Sequence, residues 1–303
     1  VWVGGTIEGN IFLFQKDVPN PTSICYSSNS IRAIEFDEIG ANFLSGDKSG
    51  TLYLTDTNTL QNSLTIKHAH HSSIECLKFL TPHTVVVGDT SGFIKLWDLR
   101  TEKAEQTARP DQDYLSDIVA INDQNYVTVN GIGSCSVWTT HSNKRKQYYV
   151  QEDDDFTTVT YSTFLNYIII GSSRPKLYVT QYPSLDFVCE SPGNTKSAIV
   201  AVRYLTNTQN RVVVAQDDGT CYLTEISPNR PVVAFQAHQH DIIGATLRGT
   251  QFMTWGNDKT IKIWDLEELS TRERKKASKG KKKKTKVTNV SILKKKDDFF
   301  TDY

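Results

Sequence analysis

The chain has 303 residues, 38% of them hydrophobic, with 34 Lys/Arg against 34 Asp/Glu. That is ample for a large core, and length alone would suggest about two domains. The neutrality hides a segregation: residues 270–303 hold thirteen basic and four acidic residues, net +9, which leaves 21 basic and 30 acidic, net −9, in 1–269.

No apolar run approaches the ~20 residues of a membrane span, and no secretory signal is visible. The five cysteines, Cys25, Cys76, Cys135, Cys189 and Cys221, stand singly and never as Cys-x-x-Cys. They are expected to be reduced strand residues of an intracellular protein, forming neither disulfides nor a zinc site.

Residues 1–15 already read as two strands around the pair Gly5 and Gly9. The same strand–turn–strand unit recurs at Gly46 to Gly50, Gly88 to Gly92, Asn130 to Ser134, Gly171 to Pro175, Ala215 to Gly219 and Gly256 to Thr260. The first members are 41, 42, 42, 41, 44 and 41 residues apart. A period of ~40–45 with short strands and Gly/Asp turns marks propeller blades. The expected fold is therefore all-β, a seven-bladed β-propeller over 1–269, followed by a lysine-rich disordered tail over 270–303. The inner strand of the first blade and the outer strand of the last are missing from this reading. About half to one repeat, roughly 20–40 residues, is expected before Val1.

Ser30–Thr55 forms the second blade. Lys67-His68-Ala69-His70-His71 opens the third; its histidines suit either a metal or, as spacing favours, the loop before an inner strand. Trp97-Asp98-Leu99-Arg100 closes that blade. The runs Val85–Val87, Ile168–Ile170 and Val212–Val214 fit strands buried on both faces.

The loops before the fourth and fifth inner strands are acidic. They carry Asp111, Asp113 and Asp117, then Glu152, Asp153, Asp154 and Asp155. Such loops are either plain solvated turns or a surface that attracts a basic partner. Lys144-Arg145-Lys146 is placed in a loop before an outer strand, on the other face. Pro228-Asn229-Arg230-Pro231 is a turn by composition.

The last blade carries the fullest polar pattern: His238, Thr254, Asp258 and Trp264. An indole N–H only donates, a neutral imidazole donates and accepts, and a carboxylate accepts, so the four can form one hydrogen-bond chain. The other blades look degenerate. The third has His70 but Val87 and Ser91 where the hydroxyl and carboxylate belong. Blades with Thr55, Trp138, Thr180 and Thr224 also depart.

Leu266–Arg274 reads as a short helical extension. Beyond it, Lys275, Lys276, Lys279, Lys281, Lys282, Lys283, Lys284 and Lys286 form a self-repelling block. It suits a nuclear targeting signal, an RNA-phosphate arm or a solubilising tail. Asp297-Asp298-Phe299-Phe300 looks like a docking motif.

The period and the two Trp-Asp dipeptides resemble WD repeats. Trp97, Asp98 and Arg100 resemble a box by which some propellers dock on the adaptor of cullin-type ubiquitin ligases, though the same residues fit an ordinary strand end. Further pieces are similar to the WD repeat-containing protein 55 family, whose fungal members are the nucleolar jumonji-interacting type. These are Gly88–Arg100, Tyr114–Ile118, Phe156–Thr160, Gly171–Ser173, Pro228–Arg230, the last blade, the lysine block and Asp297–Phe300, in that order. The missing start and the threonines at 55, 180 and 224 depart from the repeat pattern.

That resemblance implies a nuclear or nucleolar scaffold in large-subunit ribosomal RNA processing. Its partners would be proteins of pre-ribosomal assembly and, through the tail, RNA. It implies no catalytic residue. The sequence itself shows no Gly-x-Ser-x-Gly elbow, phosphate-cradling loop or His-Glu-x-x-His helix. No cofactor, metal or small-molecule substrate is expected. The alternative is a substrate receptor for a cullin ligase, docking through Trp97–Arg100.

Overall fold

The structure, a computed structural model, describes residues 1–15, 18, 20–269 and 291–293. Period-2 alternation and tight Gly/Asp turns make nearly every element a strand. The first sheet pairs β1 (Trp2–Gly5), β2 (Asn10–Phe14) and β3 (Thr22–Cys25). The second holds β4 (Ile31–Phe36), β5 (Asn42–Asp47), β6 (Leu52–Asp56) and β7 (Asn62–Ile66). The third holds β8 (Ile74–Phe79), β9 (Thr84–Asp89), β10 (Ile94–Asp98) and β11 (Lys103–Ala108). The fourth holds β12 (Leu115–Asn122), β13 (Asn125–Asn130), β14 (Ser134–Thr139) and β15 (Ser142–Val150).

The fifth sheet runs through β16 (Phe156–Ser162), β17 (Tyr167–Ser172), β18 (Lys176–Gln181) and β19 (Asp186–Pro192). The sixth has β20 (Ile199–Tyr204), β21 (Arg211–Gln216), β22 (Thr220–Ile226) and β23 (Asn229–Gln236). The seventh has β24 (Ile242–Arg248), β25 (Gln251–Gly256), β26 (Thr260–Asp265) and β27 (Ser291–Leu293). All neighbours are antiparallel, and one helical turn spans 266–269. These seven sheets are the blades of a β-propeller fold. The strands group into two compact units, Val1–Asp153 with blades one to four and a second that begins at Asp154 with blades five to seven.

Three differences from the sequence reading concern the ends and the basic loop. The outer strand of the last blade is present: Ser291, Ile292 and Leu293 pair with Ile263, Lys262 and Ile261. The blade therefore reaches past residue 269, and 270–303 is not wholly a tail. Three residues embedded among lysines are too short to show a period-2 pattern. Lys144, Arg145 and Lys146 lie within β15 itself, not in a loop. Asn229 already begins β23, so the turn there is shorter than its composition suggests. The first sheet has three described strands, matching the second, third and fourth strands of the others. The lysines of 275–286 and Asp297, Asp298, Phe299 and Phe300 lie outside the described residues.

The core sits between adjacent sheets within each unit. In the first, Val86, Ile94 and Leu96 of blade three pack on Leu115, Ile118, Tyr126 and Trp138 of blade four. In the second, Val213 and Leu223 pack with Phe252 and Trp264. Val85–Val87, Ile168–Ile170 and Val212–Val214 are fully buried, as strands covered on both faces must be. Each such side chain contributes about 1.5–3 kcal/mol by leaving water. Outer strands such as Lys103–Ala108 and Ser142–Val150 are mostly exposed.

Candidate functional site: the polar ends of the blades

In blade seven the predicted chain is complete. The Trp264 indole donates to Thr254 Oγ1 at 3.0 Å, and Thr254 Oγ1 lies 2.7 Å from His238 Nε2. His238 Nδ1 lies 2.9 Å from Asp258 Oδ1. The carboxylate only accepts, so Nδ1 carries the ring proton, Nε2 accepts from the Thr254 hydroxyl, and that hydroxyl accepts from the indole. Burial lowers the His238 pKa and keeps the ring neutral. Burial would raise Asp258, but hydrogen bonds from Thr260 and His238 outweigh it and hold its carboxyl well below the usual range. Lys262 spans the same loop, donating to Ala237 O at 2.8 Å and to Asp258 Oδ2 at 3.2 Å.

Blade three keeps this frame with one break. His70 Nδ1 meets Asp89 Oδ2 at 2.8 Å, and Lys95 donates to Ala69 O at 2.6 Å. Asp89, at the end of its strand, does what Asp258 does from the turn. Val87 stands where Thr254 stands in blade seven, opposite Lys95 as Thr254 is opposite Lys262. Two buried polar atoms are left without a partner, His70 Nε2 and Trp97 Nε1.

Blade four keeps the other half: Trp138 donates to Thr128 Oγ1 at 2.9 Å. The fourth blade, expected to be degenerate, therefore keeps this bond.

Blades two, four, five and six fasten the loop before the inner strand to this end of the sheet with different residues. Ser27 donates to Asp47 Oδ2 at 2.6 Å, and Asn130 Nδ2 donates to Asp111 Oδ2 at 3.0 Å. Tyr178 donates to Asp154 Oδ2 at 2.8 Å. Gln216 accepts from Thr195 N at 3.1 Å and donates to Ser197 O at 2.7 Å. Two of the clasping aspartates also cap their turns: Asp47 Oδ1 accepts from the amides of Ser49 and Thr51, and Asp89 Oδ1 from those of Ser91 and Phe93. Gly50 fits this clasp because its φ is +81° and an added Cβ would lie 2.1 Å from His70 O.

The acidic residues divide by burial and contacts. Asp154 is buried and Asp111 is committed to Asn130 and to Arg145, whose guanidinium stacks 4.4 Å over Tyr148. Both are clasps. Asp113 and Asp117 are half-buried and accept from the amides of Tyr114 and Ile118. Glu152, Asp153 and Asp155 are exposed.

The Trp97–Arg100 box is also internal in part. Asp98 is buried, and Arg100 grips it through Nε at 3.0 Å and Nη2 at 2.7 Å. Those bonds, with the Arg100 amide, bring the Asp98 carboxyl down to about 2. The Arg100 side chain remains 65% exposed.

His70 is buried on Asp89, while His68 and His71 are exposed. Among the described residues no three His, Cys, Asp or Glu side chains form a group that could hold an ion. All five cysteines are free, and burial raises the thiols of Cys76, Cys135 and Cys221. No described helix is long and apolar enough to cross a membrane.

The WD domain, G-beta repeat family matches residues 61–98, the span from the outer strand of blade two through Asp98. The chain is 23% identical over 277 residues to WD repeat-containing protein 55 of Arabidopsis thaliana, covering 88% of this chain and 77% of that one. The mouse (Mus musculus) protein of the same name is 24% identical over 276 residues, covering 88% and 71%. Among solved structures, a chain in the crystal structure of the Mitotic Checkpoint Complex superposes with a TM-score of 0.80 at 15% identity, over 87% of each chain. That likeness establishes the fold alone.

Proposed function

Because the chain belongs to the WD repeat-containing protein 55 family, we propose that it acts in the nucleolus as a non-catalytic scaffold for ribosomal RNA processing and assembly of the large ribosomal subunit. WD-repeat propellers generally bind proteins, and this chain's buried polar side chains serve that rigidity. His238, His70, Asp154 and Gln216 are each spent on holding a loop to a strand.

The observation that carries the reading is likeness across 88% of the chain joined to segregated charge, −9 in 1–269 and +9 in 270–303. A lysine block of that kind supports nuclear import and salt-sensitive contact with RNA phosphates. The partners are pre-ribosomal proteins, with RNA met through the lysines. Docking on a cullin adaptor is not favoured, since Arg100 is already held by Asp98.

Localisation tests this. The tagged protein is expected to concentrate in the nucleolus, and glutamine at the eight lysines of 275–286 is expected to disperse it. A diffuse signal for the unaltered protein would refute the proposal.

A further inference from the structure

Among the described four-stranded blades, one end differs from the others in what it shows to solvent. In each four-stranded blade a turn amide donates to a carbonyl of the loop before the inner strand. The carbonyl belongs to Ser30, Ser73, Tyr114, Asp155, Ala198 or Asp241. Only blade four places a large side chain there. The residue in the middle of the same turn is Ser49, Ser91, Arg174, Asp218 or Asp258 in the other four-stranded blades, and Ile132 in blade four.

Tyr114 is 39% exposed and Ile132 is 50% exposed. They are neighbours: the Tyr114 ring lies against Gly131, with a ring carbon 2.2 Å from where a Cβ would be. Val150, opposite Ser134 at this end of the sheet, is 45% exposed. In blade six the equivalent residue, opposite Thr220, is Gln236. The Tyr114 ring fills the space over Gly131, while at the Ile132 position every other four-stranded blade carries a polar residue.

The surroundings specify the charge of what covers them. Glu152 and Asp153 follow Gln151, whose amide donates to Gly133 O at 2.9 Å beside Ile132. Asp113 adjoins Tyr114, and residues 110–117 and 147–153 contain no lysine or arginine. Arg145 is paired with Asp111, and Arg109 donates to Ser91 O and stacks on Phe93.

We propose that Tyr114, Ile132 and Val150 form a docking site for a lysine- or arginine-rich protein segment that carries an apolar side chain. The apolar residue covers Ile132 and Tyr114, and its flanking cations meet Asp113, Glu152 and Asp153. This gives the scaffold reading a surface and a partner class, and so rests on it for its cellular meaning.

The test is fluorescence anisotropy with the purified full chain and a short labelled lysine peptide bearing one leucine. The Tyr114→Ser/Ile132→Ser protein is expected to bind about tenfold more weakly. Ile132→Ser alone, at a position where blades two and three carry serine, should weaken binding and leave thermal unfolding unchanged. Glu152→Gln/Asp153→Asn is expected to weaken binding and flatten its salt dependence. A leucine-to-serine peptide is expected to lose binding by a similar factor. Equal affinity for the two peptides, or no effect of Tyr114→Ser/Ile132→Ser, would overturn the site. So would a dimer in sedimentation that Ile132→Ser dissolves, which would give the patch to a second copy. A nucleolar protein that fails this assay keeps the scaffold reading and loses this site. A protein that binds the peptide but is absent from the nucleolus does the reverse.

Discussion

His70 and Asp89 meet at 2.8 Å in a contact that reproduces, from a different backbone position, the one between His238 and Asp258. The two blades differ just beyond it. Thr254 continues the chain to Trp264, whereas Val87 ends it and strands His70 Nε2 and Trp97 Nε1.

Val87→Thr is therefore expected to stabilise the protein. A threonine hydroxyl there donates to His70 Nε2 and accepts from Trp97, two bonds made with little change of shape. Each is worth about 1 kcal/mol net. The thermal midpoint should rise by roughly 2–4 °C for each kcal/mol. The opposite change, Thr254→Val, orphans two buried atoms and should cost about 2 kcal/mol. Differential scanning calorimetry of both variants checks the pair. A destabilised Val87→Thr would mean that blade three cannot seat the hydroxyl.

Acid should unfold the protein in two stages. Burial lowers His70 and His238, so the folded state keeps both neutral while the unfolded chain takes up those protons. Their contribution is lost as pH falls below the ordinary imidazole value of about 6.5. Asp47, Asp89 and Asp258 are held below the ordinary carboxylate value, against the effect of burial, by hydrogen bonds. Their contribution is present above about pH 4 and is lost as pH drops further, towards their folded values. Melting curves from pH 7.5 to 5 should show a midpoint that declines below about 6.5. Replacing His70 with asparagine should shrink that first decline. A flat midpoint to pH 5 would contradict the assignment of both rings as neutral.

Much of this was legible in the sequence, and the failures have a common cause. The 41–44 residue spacing gave the blades, and His238, Thr254, Asp258 and Trp264 were readable because one blade carries every group at its usual place. The clasps of the other blades do not use that full quartet, so the quartet does not reveal them. What the fold needs is a polar atom that reaches the turn amides and the incoming loop. Asp47, Asn130 and Asp154 each meet that need with a different reach, and Gln216 reaches the incoming loop while Asp218 caps the turn. A signal was present: Gly-Asp-x-Ser-Gly occurs at both 46–50 and 88–92. The acidic loops misled for the same reason, since charge in a loop does not say whether a carboxylate faces solvent or its own strand. Asp154 faces inward and Glu152 does not. The strand Ser291–Leu293 was hidden by brevity among lysines.

The chain is proposed to be a scaffold in the making of ribosomes. Pulse-labelling of ribosomal RNA after acute depletion of the protein tests it most directly. Precursors of the large-subunit RNA should accumulate while the mature form falls, and re-expression of the full chain should reverse both. Unchanged kinetics for every precursor, with the protein verifiably gone, would contradict the account.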